Sequence, residues 1–179
     1  QTRIQISDLR NVAYLMGATH DIGKGTQFFQ DHLHHIPSTE PNFQLLKSHS
    51  YISSLYCSWI IQNLNIPADV RDFLQVSAAL GIQGHHGSLK LPSTYLEKLT
   101  SNFFNNGIFE RQIGSFAVRE MELISQSLGL PSFQDFSQHW RDAFTDLGRK
   151  LFPTNIAQIL NNFPVQNEPY FITTLLFSV

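Results

Sequence analysis

His20 and Asp21 stand side by side, followed at once by Ile22-Gly23-Lys24; His49 comes later, and the pair His85-His86 precedes Gly87. These residue types hold metal ions. An imidazole nitrogen and a carboxylate oxygen can share one divalent ion, and the carboxylate has a second oxygen for another. Asp21 is the expected bridging ligand, because only a carboxylate offers two oxygens. His20, His49, His85 and His86 are the expected imidazole ligands. Two such ions, about 3.5–4 Å apart, polarise a phosphodiester and lower the pKa of a water molecule. Lys24, one turn beyond Asp21, is expected to reach a phosphate oxygen and stabilise negative charge in the transition state. Ligation rich in imidazole favours Mn, Fe, Co, Ni or Zn. Mg would serve if carboxylates and phosphate complete its shell. A single histidine is more often a hydrogen-bonded core residue than a ligand, and an adjacent pair is often a surface coincidence. The ordered set, with Gly and Lys behind the His-Asp pair, is what favours the metal reading.

Helices must position these residues. Leu9, Val12, Ala13 and Met16 recur at helical spacing behind a candidate cap at Ser7, and this helix is expected to end near Gly23. Residues 31–48, with Pro37 and Pro41, read as loop. Ile52, Leu55, Tyr56, Trp59 and Ile60 form a second stripe with His49 at its start. Pro67 suits the first turn of a third helix, carried by Val70, Phe73, Leu74, Ser77, Ala78 and Gly81 and running to His85-His86. Residues 88–107 again read as loop. Phe109 to Leu128 reads as one long amphipathic helix and Phe136 to Leu151 as another. A short helix follows over 156–163, and a last one begins in 169–179. No stretch alternates convincingly as a strand. The expected architecture is all-α, one domain over residues 1–179, with helix ends converging on one cleft.

The bulk properties agree. The chain of 179 residues is 42% hydrophobic and 15% charged, enough for one sizeable core. A formal net charge of −2 carries no basic excess of the kind that marks nucleic-acid binders. Two divalent ions would nevertheless supply positive charge where a phosphate binds. Cys57 is the sole cysteine, so an intrachain disulfide is excluded, and a reducing, cytoplasmic setting is the expectation. No apolar stretch approaches the roughly 20 residues that cross a bilayer. The chain opens on Gln1 and closes inside the apolar run Phe171–Val179, and it reads as a piece of a longer protein.

His20-Asp21 with His49 and His85-His86 resembles the HD phosphohydrolase superfamily. The longer string Thr19-His20-Asp21-Ile22-Gly23-Lys24-Gly25-Thr26-Gln27-Phe28-Phe29-Gln30, with Ser48-His49-Ser50 and His85-His86-Gly87, resembles the HD nuclease domain of the CRISPR-associated type I helicase-nuclease. The resemblance covers about residues 9–91 by motif. It implies a helical, two-metal nuclease that degrades single-stranded DNA. Its implied partners are a type I CRISPR surveillance complex and a superfamily-2 helicase, in the same or a partner chain. That family carries a further histidine upstream and a further aspartate in a late helix. Here no histidine precedes His20, and the last aspartate is Asp146. One metal site, with Asp21, His49, His85 and His86, is therefore expected in full, and the other with His20 and Asp21 alone.

Three alternatives remain at this level. One is a nucleotide phosphohydrolase of the wider superfamily. Another is the HD domain of a type I-D effector large subunit. The third is a docking module with an incomplete site. Outside the motif, His32, His34, His35 and His139 read as surface residues and Cys57 as core. Phe28 and Phe29 could stack on bases but suit core packing better. Arg111, Arg119, Arg141, Arg149 and Lys150 read as solvated helix faces.

Overall fold

The computed structural model describes residues 4–87 and 91–161. Among these residues the protein is all-α, with ten α-helices and no strand. α1 (Ile6–Thr19) leads through Asp21 into a 3-10 turn, Ile22–Gly25. α2 (Gln27–Leu33), α3 (Phe43–Leu46), α4 (His49–Gln62) and α5 (Ala68–Gly84) follow. Next come α6 (Pro92–Lys98), a π-helical turn Leu99–Phe104, α7 (Ile108–Gly114), α8 (Val118–Ser127), α9 (Phe133–Leu151) and α10 (Pro153–Asn161). No helix among the described residues is long and apolar enough to cross a membrane.

α4 is the axis of the fold. Eleven of its fourteen residues are buried, so it is packed on nearly every side rather than along one stripe. α5 and α9 flank it, with α1 and the 3-10 turn at its first end. Small polar residues make this central position tolerable, because each finds a partner. Ser53 accepts from the Gly23 N–H at 2.9 Å, and Ser54 donates to the Tyr51 carbonyl at 2.8 Å. Aromatic rings fill the space around it. Tyr51 stacks on Phe103, and Tyr56 packs on Phe133 and Phe136. Cys57 lies fully within this core.

Several elements depart from the periodicity reading. The cap of α1 is Gln5 rather than Ser7, with the Gln5 N–H directed at Asp8. Residues 31–48 and 91–107 are not plain loops, and 88–90 lie outside the described residues. Pro92 occupies the first turn of α6, where a missing N–H costs nothing. Tyr95, Leu99 and Phe103 then deliver buried side chains to the core. The span 109–128 is two helices, not one. It breaks at Ser115–Ala117 because Phe116 pairs with Thr26 in an isolated antiparallel bridge, where the Gln27 N–H donates to the Ser115 carbonyl at 3.2 Å. α8 ends where Gly129, at φ +62°, takes the left-handed conformation and the Leu130 N–H closes back on the Ser125 carbonyl. The expected short helix near 156–163 is α10; residues 169–179 lie outside the described residues.

Lys150 is not on a solvated face. Its side chain is 8% exposed, and its ammonium donates to Asp146 at 2.7 Å and Gln75 at 2.5 Å, with Asp72 at 2.9 Å. Gln75 in turn donates to Ser58 and Asp146. This network joins α4, α5 and α9. Three of the four late-helix arginines form ion pairs: Arg111 with Glu40, Arg141 with Glu110, and Arg149 with Asp146.

Candidate metal centre

His20 caps the C-terminus of α1, His49 is the first residue of α4, and His85 caps α5, with His86 in the turn beyond it. Three helix ends therefore meet at Asp21. The C-terminal ends of α1 and α5 direct their negative dipole ends toward the place where a cation would sit.

One oxygen of Asp21 and three imidazole nitrogens converge. His49 Nε2 lies 3.3 Å and His85 Nε2 3.6 Å from Asp21 Oδ1. His49 Nε2 is 3.0 Å from His86 Nε2 and 3.5 Å from His85 Nε2. The ligand atoms of Asp21, His49, His85 and His86 all lie within 4.8 Å of one another. A metal–nitrogen bond of about 2.1 Å sets neighbouring ligand atoms about 3.0–3.4 Å apart, from right-angled to tetrahedral geometry. Two of the four separations, 3.0 and 3.3 Å, fall in that range, and the other two, 3.5 and 3.6 Å, lie just above it.

Proton bookkeeping also favours an ion. His85 Nδ1 donates to the Ile82 carbonyl, which leaves its Nε2 with a lone pair facing the cluster. Asp21 Oδ1 is buried and accepts no hydrogen bond of acceptable geometry, despite two nitrogens nearby. One proton shared between His49 and His86 leaves the other lone pairs and the carboxylate oxygen facing one another, which is a poor protein interior and a good ligand set. Burial pushes His49 down to about 4, against a smaller opposing pull from Asp21, so its ring is neutral and ready to ligate at pH 7. Burial and the neighbouring His85 also lower His86. Burial alone would raise Asp21, but the Lys24 hydrogen bond, with the charges of His20 and Lys24, outweighs it and holds the carboxyl ionised. These residues can hold one divalent ion.

His20 and Lys24 stand on the other side of the carboxylate. Lys24 Nζ donates to Asp21 Oδ2 at 2.7 Å, and His20 Nε2 is 3.2 Å from the same oxygen. His20 Nδ1 is fixed on the Gly17 carbonyl at 2.8 Å. His32, His34, His35 and His139 are exposed and stand outside the four-residue group; His32 meets the edge of Phe29, the ring that also packs on His49.

The supporting residues were less visible in the sequence. Phe29 does not stand free for base stacking: it packs edge-on against the His49 ring, centroids 5.1 Å apart, and steadies it. Gln30 donates to the Lys24 carbonyl at 2.7 Å, and buried Thr26 donates to the Gly23 carbonyl at 3.0 Å. Gly23 is required by contact. A Cβ there would fall 2.9 Å from His49 Cα and nearer still to the His49 carbonyl oxygen, both backbone atoms that cannot swing away. Gly23→Ala is therefore expected to push the turn off α4. The cost is about 1–3 kcal/mol of overpacking, with a Tm several degrees lower and a metal affinity at least tenfold weaker. Thermal unfolding with and without Mn measures both; an unchanged Tm and affinity would show slack in this contact.

Comparison with protein-family models, with curated proteins and with solved structures returns no match.

Proposed function

We propose that this chain is a metal-dependent phosphodiesterase domain of HD type that degrades single-stranded DNA, working with a type I CRISPR surveillance complex and a superfamily-2 helicase. The observation that carries the chemistry is the convergence of Asp21 Oδ1 with three histidine Nε2 atoms at ligand spacing. The order of the motif, His20-Asp21-x-Gly23-Lys24 with His49 and His85-His86, carries the choice of substrate.

A divalent ion supplies Lewis-acid chemistry, polarising a phosphoryl oxygen and lowering the pKa of water. Asp21, His49, His85 and His86 would hold it. The chain's own groups do the rest. Asp21 stays ionised and keeps its place through Lys24 and His20. Lys24 uses one of its three N–H donors on Asp21; its side chain is 37% exposed, so the others can receive a phosphate oxygen. Beside His20 and Asp21 lies an open cleft of about 380 Å³, floored by Gly17, Ala18 and Gly25 and walled by Met121 and Ile124. Small residues there leave room for a chain to pass along the carboxylate. The Oδ2 side, with His20, is where the second ion of a two-metal enzyme would bind.

The test supplies this chain with Mn, Ni or Co and offers single-stranded DNA, duplex DNA and mononucleotides. Cleavage of the single strand alone is the expected result. Activity confined to mononucleotides would favour a nucleotide phosphohydrolase. Absence of bound metal together with absence of cleavage would leave a docking module.

A further inference from the structure

The two oxygens of Asp21 have different surroundings, and the difference decides how many ions the centre takes. Oδ1 faces the nitrogens of His49 and His85. Oδ2 faces a cation that is already part of the chain, the Lys24 ammonium at 2.7 Å. Lys24 is held there from three directions. Its backbone N–H donates to the Asp21 carbonyl at 2.8 Å, its own carbonyl accepts from Gln30 at 2.7 Å, and its ammonium lies 5.8 Å from the Phe29 ring centroid. Phe29 is also the ring against His49, so the lysine is packed into the same assembly as the cage.

A second divalent ion on Oδ2 would find few ligands among the described residues. His20 Nε2, 3.2 Å from Oδ2, is the one imidazole on that side, and it stands outside the four-residue cage. The ion would also meet the ammonium head-on, and like charges at such a separation in a partly buried site repel strongly. A carboxylate oxygen satisfied by a short, charge-assisted hydrogen bond has little reason to exchange it for a poorly ligated ion.

We propose that Lys24 takes the place of a second cation: the chain binds one divalent ion on the Oδ1 side of Asp21, and the ammonium neutralises the Oδ2 side. The inference deepens the metal-dependent reading above and rests on it. It changes the division of labour. An ammonium binds and orients a phosphate oxygen through hydrogen bonds, but it has no coordination site at which to activate water. Water activation then belongs to the His49–His85–His86 side, and substrate positioning to the Lys24 side.

The experiment titrates the chain with Mn, counts bound ions by elemental analysis after desalting and by calorimetry, and records the electron paramagnetic resonance spectrum. The unaltered chain is expected to saturate at one Mn with the spectrum of an isolated ion. Lys24→Met, which keeps the packing and removes the charge, is expected to take a second, weaker ion and show a spin-coupled pair. Lys24→Gln serves as a second neutral variant and should behave alike, and Lys24→Arg should stay at one. A coupled pair in the unaltered chain overturns the proposal and leaves the cage intact. So does a count of one in both neutral variants when they unfold at normal temperatures. No Mn in any of the proteins overturns the cage reading itself, and this proposal with it.

Discussion

Asp21→Ala is expected to abolish metal-dependent cleavage, with a loss of about 10³-fold or more in single-turnover rate. Several kcal/mol of transition-state stabilisation come from a bound ion, at about 1.4 kcal/mol per decade. The substitution removes the only carboxylate of the cage and the partner of both His20 and Lys24. Three neutral imidazoles remain as ligands, but the negative charge that balances the ion is gone and the Lys24 ammonium is left unpaired beside it, so the ion is held more weakly. Bound metal, measured on the same sample, should fall with the rate. Asp21→Asn keeps one oxygen donor without the charge and should fall between the two. An Asp21→Ala chain that retains its ion and cleaves at the original rate would place the chemistry elsewhere.

The second large effect lies away from the metal. Lys150→Ala is expected to cost about 3 kcal/mol, because removing one member of a buried ion network leaves the others uncompensated. Asp146 is the residue left exposed to that penalty. Its side chain is 11% exposed, and it would keep only Gln75 and the surface-exposed Arg149. For a chain of this size the loss corresponds to a Tm about 6–12 °C lower. The acid dependence should change too. Burial raises the Asp146 carboxyl, but hydrogen bonds from Lys150 and Gln75 and the charge of Lys150 outweigh it and hold the group below the usual carboxylate range. Its stabilisation is therefore complete above the unfolded value of about 4 and is lost as pH falls through the lower folded value. Thermal unfolding at pH 7 and across the acid range measures both effects, and Lys150→Ala should flatten the acid limb. A variant with the original Tm would show that the network contributes nothing net. Metal binding should be unchanged, since Lys150 touches no residue of the cage.

The helical periods of α1, α5 and α9 were legible because one apolar face meets the core in each, and that face repeats every third or fourth residue; α4 showed its apolar stripe as well, but not that its small polar residues are buried too. The convergence of His20-Asp21, His49 and His85-His86 could be anticipated, because all of them sit at ends of those same helices. What escaped notice was decided by distant neighbours. Gly114-Ser115 is the one local sign of a break in Phe109–Leu128, and the pairing of Phe116 with Thr26, ninety residues away, fixes it. Lys150 continues the amphipathic pattern of α9 as a polar residue, and only the approach of Asp72 and Gln75 from α5 turns it inward. Phe29 reads as any core aromatic until His49 is brought beside it. Gly23 reads as a turn residue, whereas its role is to admit the backbone of another helix.

The bridge between Thr26 and Phe116 bears on the order of events during synthesis. Every candidate ligand has left the ribosome once residue 86 has emerged. The turn that carries Asp21 is nonetheless stapled to a strand-like residue thirty positions further on, and α4, which carries His49, gains its cover from α9 later still. Contacts of such long sequence separation close late, because the loop between them must be ordered first. A nascent chain therefore owns its metal ligands well before it owns their geometry. Ion capture at this cluster would follow the folding of the second half of the domain, and a ribosome-bound fragment with all the candidate ligands would still lack the site.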